Sequence, residues 1–130
     1  MSTTSTRIGQ FDIGSRDKVE HLLAQPGLAK FEPTLNGYSF WLTGIPVEIK
    51  IVLSVNGDRG GFNFHTSHVI KTPKQTGPYH PSRPWGDDAG YALHQAVTSI
   101  TQHYDDATKA GLKPEAAWLI PNNNFGQWTA

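Results

Sequence analysis

The sequence contains no cysteine, and its formal net charge is zero, because 11 lysines and arginines balance 11 aspartates and glutamates. Without cysteine, the chain has no disulfides, no thiolate catalysis and no zinc–cysteine site. A neutral chain is not expected to bind duplex nucleic acid, which requires a surplus of cations to neutralise phosphates. The sequence also has no apolar run long enough to cross a membrane and no signal-peptide core at its start, so a cytoplasmic protein is expected.

A chain of 130 residues is long enough for one hydrophobic core but not for two. Residues 1–14 begin with a Ser/Thr-rich tract that has little to bury, which predicts a flexible N-terminal tail. Residues 15–130 are then expected to form a single domain. At its start, Ser15 can cap a short helix that extends to Gln25 and ends at Pro26-Gly27.

The first half of this domain is rich in strand signals. Strands are predicted over residues 38–43 and 47–55, separated by a reversal at Gly44-Ile45-Pro46, and a third from Phe62 to about Ile70. The strand 47–55 is the most regular, because apolar residues occupy alternate positions, as in a half-buried antiparallel sheet. Its buried face is predicted to consist of Val47, Ile49, Ile51, Leu53 and Val55, with Glu48, Lys50 and Ser54 on the other face and Val52 as the exception.

One long helix is predicted from Ala89 to Ala110. Asp87-Asp88 suits its N-terminus, Gly111 suits its C-terminal cap, and Pro114 prevents its continuation. The fold class is therefore α+β: a small antiparallel sheet of about three to five strands packed against one long C-terminal helix, with a short N-terminal helix. The apolar stripe of the long helix comprises Ala89, Leu93, Ala96, Val97, Ile100, Tyr104 and Ala107, and the opposite side carries His94, Thr98, Thr101, Gln102 and Asp105.

The stretch from Phe62 to Trp85 combines aromatic rings with histidines, lysines and an arginine in a segment that prolines interrupt. Aromatic faces beside cationic groups suit a planar, anionic small molecule or a stretch of nucleic acid. The alternative is that these rings pack against their own sheet, with Trp85 on the helix start at Tyr91. Arg83 has proline close on both sides, and a stiff backbone lowers the entropy cost of presenting its guanidinium to a ligand.

Histidines in the same stretch raise the possibility of catalysis. His65-Thr66-Ser67 and His80-Pro81-Ser82 both fit the His-x-Ser/Thr pattern of two-histidine phosphodiesterases, in which the histidines act as general acid and base. In those enzymes each motif lies on a strand in one of two pseudo-symmetric halves, whereas here the second motif lies between prolines. A metal site at His65, His68 and His80 is disfavoured, because no carboxylate is near and residues three apart on a strand face opposite sides.

Four phrases in the second half, FHTSHVIKTP, GPYHPSRPW, HYDDATKAGLKP and WLIPNNNF, resemble phage Thoeris anti-defence proteins of the first type. The resemblance covers about Phe62 to Phe125. Members of that family are sponges that sequester cyclic ADP-ribose-type signals, and some bind cyclic oligonucleotides at separate sites. The resemblance implies a phage protein that acts in the host cytoplasm without catalysis or a cofactor and inhibits Thoeris, or CBASS, defence. It also implies a homo-oligomer, expected to be a hexamer, with ligand pockets between protomers.

Within that expectation, candidate ligand-binding residues follow from their chemistry, and no catalytic residue or metal ligand is predicted. Two other functions stay open: a phosphodiesterase that cleaves a cyclic nucleotide signal, and an inhibitor that contacts a host defence protein through the aromatic loop. The candidates are Phe64, Tyr79 and Trp85 for stacking on adenine, Arg59 and Arg83 for phosphate, and Asn122 and Asn123 for ribose, with His65 and Phe125 completing the set.

Overall fold

The computed structural model describes residues 5–8, 11–15, 27–34, 37–123 and 125. Helix α1 spans Ala89–Lys109, and a short 3₁₀ turn spans Ala116–Trp118. The strands are β1 (Ser5–Ile8), β2 (Phe11–Ser15), β3 (Leu28–Pro33), β4 (Gly37–Leu42), β5 (Ile45–Val55), β6 (Phe62–Thr66), β7 (His68–Ile70), β8 (Trp85–Gly86) and β9 (Leu119–Pro121).

The strands form one main sheet and two small ones. The main sheet has five strands in the order β3-β4-β5-β6-β8, and each neighbouring pair is antiparallel. The pairs β1–β2 and β7–β9 form separate two-stranded sheets. The predicted α+β class, with an antiparallel sheet packed against one long helix, is confirmed.

The core lies between one face of the main sheet and α1. Phe40, Ile49 and Leu93 are each 0% exposed. Burial of such side chains is the main favourable term in the stability of the fold. The predicted alternation in β5 is confirmed for its central residues, but Val55 is 64% exposed because it lies at the end of the strand, beyond the core.

Helix α1 ends where the sequence predicts. The Asp88 side chain caps the N-terminus by accepting a hydrogen bond from the Tyr91 N–H at 2.7 Å. At the C-terminus, Gly111 has φ +89°, and its N–H donates to the Thr108 carbonyl, as in a Schellman motif. Thr101, predicted to face away from the core, is instead 1% exposed, because α1 is covered on more than one side and β2 also lies alongside it.

Among the described residues, no helix combines the length and the apolar character that crossing a membrane requires.

The predicted third strand is interrupted at Ser67, so the expectation of one strand from Phe62 to Ile70 is wrong. The Ser67 Oγ accepts the Lys50 N–H at 2.8 Å, and the Ser67 N–H donates to the Lys50 carbonyl at 2.8 Å. The side chain thus takes the place of a backbone carbonyl and ends the pairing of β6 with β5. Beyond Ser67 the chain pairs with β9 instead.

The N-terminal predictions are only partly within the described residues. β1 and β2 pair in antiparallel orientation. They lie within the predicted tail and Ser15, where no strand was predicted from the sequence. The flexibility of that segment stays a prediction. The predicted short helix lies outside the described residues except for Ser15, which is the last residue of β2.

Candidate functional site

The proline-rich loop between β7 and β8 is anchored to the sheet at both ends. The Tyr79 N–H donates to the Ile70 carbonyl at 3.0 Å, and the Phe64 N–H donates to the Pro84 carbonyl at 2.9 Å. Within the loop, the Gln75 Nε2 also donates to the Ile70 carbonyl at 3.0 Å. These bonds replace the regular pairing that prolines prevent, and they give the loop a defined position.

A cleft of about 250 Å³ lies between this loop and the polar side of α1; we call it the loop–helix cleft. Its helix side presents uncharged amides and hydroxyls at a spacing of three and four residues, which places them on one face of the helix. The cleft therefore combines aromatic, cationic and neutral hydrogen-bonding groups. Its lining residues are Phe64, Tyr79, Pro81, Ser82, Arg83, Gln95, Thr98, Ser99 and Gln102.

Three of the predicted ligand-binding residues meet in the loop–helix cleft. Phe64 is only 3% exposed and closes its inner end, whereas Tyr79 is 37% exposed. The Tyr79 ring lies 4.9 Å from the His103 ring between centroids. Arg83 is exposed, and no carboxylate among the described residues forms an ion pair with it. Within the described residues, the cleft thus offers one accessible aromatic ring, that of Tyr79, and one cation, Arg83, that is not in an ion pair.

Arg59 and Trp85 lie together, but on the other face of the sheet. The Arg59 guanidinium stacks 3.9 Å from the centroid of the Trp85 ring, a cation–π contact. Trp85 pairs with Asn63, so their side chains share a face, and Asn63 points away from the face of Phe64 because side chains alternate along a strand. These aromatic and cationic residues, predicted as one set, thus form two groups on opposite faces of the sheet.

The loop that carries Arg59 is fixed by hydrogen bonds of its own. The Asn56 Oδ1 accepts the N–H groups of Asp58 and Arg59, each at 3.0 Å. The Trp85 Nε1 donates to the Gly60 carbonyl at 2.8 Å. Trp85 therefore packs on this loop, whereas the packing alternative in the sequence analysis placed it on Tyr91.

His65 also lies outside the loop–helix cleft. It follows Phe64 in β6 and so points to the other face of the sheet, where its Nε2 is 3.3 Å from the Ser54 Oγ. Burial lowers the pKa of His65 below its ordinary value. His80 is exposed and does not line the cleft either. The two His-x-Ser/Thr motifs therefore do not bring both histidines into this cleft.

The predicted asparagines lie at the end of β9. The Asn122 N–H donates to the Ser67 carbonyl at 2.9 Å, and its Nδ2 donates to the Thr66 carbonyl at 3.2 Å. Asn122 thus ties β9 to the end of β6. Asn123 is exposed, and Phe125 is half-buried with its N–H donated to the Asn122 carbonyl. None of the three lines the loop–helix cleft.

The residues on the helix side of the cleft were not predicted from the sequence. Gln95, Thr98, Ser99 and Gln102 were absent from the candidate set, although Thr98 and Gln102 were assigned to the polar side of the helix. A solvent-facing helix surface usually carries charged residues. An uncharged run of amides and hydroxyls on one face is the signal that could have identified them.

His68 lies at the junction between the main sheet and the β7–β9 sheet. The Ser67 Oγ is 2.8 Å from the His68 Nδ1, and it already accepts the Lys50 N–H. The Ser67 hydroxyl proton is therefore available to the Nδ1, which is an acceptor only in the neutral imidazole. Burial also lowers the pKa of His68 below its ordinary value, and this too favours the neutral imidazole.

We expect the stability of the protein to fall as the pH is lowered from 7.5 to 5.5. His65 and His68 have pKa values that burial lowers in the folded state, so the unfolded chain binds more protons below its ordinary histidine pKa of 6.5. Their contribution is fully present above that pKa and is lost as the pH falls towards the lowered values. Urea denaturation at the two pH values measures the change.

The double variant His65→Gln and His68→Gln should show a smaller difference between these two pH values than the wild type. His80→Gln, at an exposed position, is the matched control and should retain the wild-type difference. An unchanged pH dependence in the double variant would contradict this assignment.

Among residues 27–34 and 37–123, no group of three or more histidines and carboxylates is arranged to hold a metal ion. No model of a known protein family matches the chain, and neither curated proteins nor solved structures yield a significant match. The function is therefore inferred from the residues of the loop–helix cleft and from their chemistry.

Proposed function

We propose that this protein binds and sequesters a cyclic ADP-ribose-type signal without degrading it, and so inhibits a bacterial defence system of the Thoeris type. The observation that carries the proposal is that Phe64, Tyr79 and Arg83 line one cleft together with a neutral, hydrogen-bonding helix face. The resemblance of the second half of the sequence to Thoeris anti-defence proteins supports the same ligand class.

The groups in the cleft suit the parts of such a signal. The exposed ring of Tyr79 can stack on a nucleobase, and such stacking contributes about 1–3 kcal/mol per base. The Arg83 guanidinium presents N–H donors in a fork that matches the oxygens of a phosphate. Because Arg83 has no ion pair with a described carboxylate, binding a phosphate there would not require an existing pair to break.

The positions of the histidines favour binding over phosphodiester cleavage. A general acid and a general base must both reach the reacting phosphate. His65 lies on the sheet face opposite to Phe64, and neither His65 nor His80 lines the cleft. A signal held at Arg83 would therefore not lie between these two imidazoles.

The size of the cleft is consistent with shared binding between subunits. Its volume of about 250 Å³ is below the range of about 300–1,000 Å³ that is typical for a complete small-molecule site. A molecule with two riboses and a pyrophosphate would extend beyond it. The proposal therefore includes a homo-oligomer in which a neighbouring subunit covers the rest of the ligand, as the family resemblance implies.

We expect Arg83→Ala to weaken binding of cyclic ADP-ribose by about tenfold to a hundredfold. A hydrogen bond to a charged group contributes about 1.5–3 kcal/mol, and the substitution removes it. The fold should be unaffected, because Arg83 is exposed. Calorimetric titration of the folded variant, with its assembly state checked by light scattering, measures the loss.

Lys74→Ala is the matched control, since Lys74 is an exposed cation of the same loop that does not line the cleft. It should bind as the wild type does. Equal affinity of Arg83→Ala and wild type would mean that the loop has only a packing role.

Sequestration is tested separately by heating the complex and measuring the mass of the released ligand, which should be unchanged. A linear or hydrolysed product would favour the phosphodiesterase.

A further inference from the structure

The hydroxyl groups on the helix side of the loop–helix cleft have their protons already engaged. The Thr98 Oγ1 donates to the His94 carbonyl at 2.9 Å and lies 3.3 Å from the Gln95 carbonyl. The Ser99 Oγ donates to the Ala96 carbonyl at 2.7 Å. A hydroxyl has one proton and two lone pairs. As long as these bonds are kept, Thr98 and Ser99 present only lone pairs towards the cleft.

The loop side of the cleft has the opposite character. The Arg83 guanidinium has five N–H donors and no acceptor. The amides of Gln95 and Gln102 and the hydroxyls of Tyr79 and Ser82 also line the cleft and can either donate or accept. The contrast therefore lies between Arg83, which only donates, and the Thr98 and Ser99 hydroxyls, whose protons are engaged.

We propose that a bound nucleotide signal has one orientation in this cleft, with its phosphate at Arg83 and the hydroxyls of a ribose on Thr98 and Ser99. This inference rests on the proposed function and adds which part of the ligand each side recognises. Thr98 and Ser99 both line the cleft, so each can accept a hydrogen bond from an O–H donor of a ribose. A phosphate placed against Thr98 and Ser99 would instead meet lone pairs and would lie away from the Arg83 cation, which disfavours the reversed orientation.

The same geometry gives the cleft a specificity. A site that accepts hydrogen bonds from ligand hydroxyls discriminates against an analogue without them, because acceptors that the ligand covers then lose their partners. Ser99 and Thr98 are thus specificity-determining residues for ribose over deoxyribose. An exocyclic amine of adenine carries donors too, so the experiment must separate it from the ribose.

The test is titration of the full-length protein with cyclic ADP-ribose, with two analogues that each lack the hydroxyls of one ribose, and with cyclic inosine diphosphate ribose, which lacks the adenine amine. We expect one deoxy analogue to bind about tenfold more weakly than cyclic ADP-ribose, the effect of losing about two hydrogen bonds. Cyclic inosine diphosphate ribose should bind within about threefold of cyclic ADP-ribose, because its riboses are intact.

The double variant Thr98→Val and Ser99→Ala keeps the shape of the helix surface and removes both acceptors. In this variant the preference for the ribose form should fall below about threefold. Thr108→Val is the matched control, because the Thr108 Oγ1 also donates to a helix carbonyl, that of Asp105 at 3.1 Å, but does not line the cleft. It should retain the full preference.

Each outcome has a definite meaning. Equal binding of both deoxy analogues and cyclic ADP-ribose to the wild type overturns the inference and leaves the proposed function standing. A loss with the inosine compound alone assigns the acceptors to the amine and also overturns the ribose assignment. A preference that survives in the double variant places the ribose elsewhere. If none of the four compounds binds, the proposed function is wrong, and the inference with it.

Discussion

Gly37→Ala is expected to lower the free energy of unfolding by about 4 kcal/mol or more, which is a large part of the total stability of a typical small domain. A Cβ at Gly37 would lie 1.8 Å from the Ile51 carbonyl oxygen and 2.8 Å from its carbonyl carbon. These are backbone atoms of β5, which lies at the centre of the main sheet, so no side-chain rotation can relieve the overlap. The strand β4 would have to move away from β5, and the packing of its core residues would be lost with it.

Urea denaturation followed by circular dichroism measures this loss. Gly57→Ala is the matched control, because a Cβ at Gly57 has nothing within 4 Å, and its stability should stay within about 1 kcal/mol of wild type. A variant Gly37→Ala as stable as this control would mean that Gly37 does not pair with Val52 in the register described here.

The helix was the part of the fold that the sequence predicted best, because several independent signals agree there. Its apolar residues recur at helical spacing, Asp88 suits an N-cap, and Gly111 can adopt the positive φ that ends it. β4 and β5 were also predictable, since the alternation of apolar residues reports directly which face is buried. In such segments local preference and tertiary packing favour the same structure.

The interruption at Ser67 could not be predicted in this way. Most of residues 62–70 favour a strand, and nothing in their hydropathy distinguishes β6 from β7. The break depends on a side-chain oxygen of Ser67 accepting the N–H of Lys50, which is distant in sequence. The Ser/Thr-rich segment likewise gave little reason to expect the pairing of β1 and β2, because the alternation in β2 is limited to Phe11 and Ile13, which is too short for a periodic signal.

The candidate site was predictable by composition but not by position. Phe64, Arg83 and Trp85 all fall in the stretch from Phe62 to Trp85, and their chemistry suits a nucleotide. Which of them share a face depends on the register of β8 against β6, in which Trp85 pairs with Asn63. The helix side of the cleft depends further on where the loop lies relative to α1. That position is set by tertiary hydrogen bonds such as the one from Phe64 to Pro84.

Gly86, in β8 directly after the loop, lies against the backbone of helix α1. A Cβ at Gly86 would lie 2.5 Å from the Ala92 nitrogen and 2.7 Å from its Cα, both backbone atoms of α1. We therefore expect Gly86→Ala to push β8 and the preceding loop away from the helix. This should destabilise the protein by about 3 kcal/mol, at the upper end for overpacking, and should widen the loop–helix cleft. Affinity for cyclic ADP-ribose should then fall at least tenfold, because a displacement of about 1 Å is enough to misalign a binding group.

Two measurements separate the displacement from general unfolding. Hydrogen exchange should speed up at the Phe64 amide, which donates to the Pro84 carbonyl, while the amide of Ala110, which donates to Asp106 at the far end of α1, keeps its protection relative to global stability. Gly77→Ala, in the same loop and with nothing within 4 Å of its Cβ, should leave exchange and affinity unchanged. Suppose that Gly86→Ala is folded, shows faster exchange at Phe64 and still binds cyclic ADP-ribose as the wild type does. Ligand binding then does not depend on the distance between the loop and the helix. The loop–helix cleft would then not be the binding site.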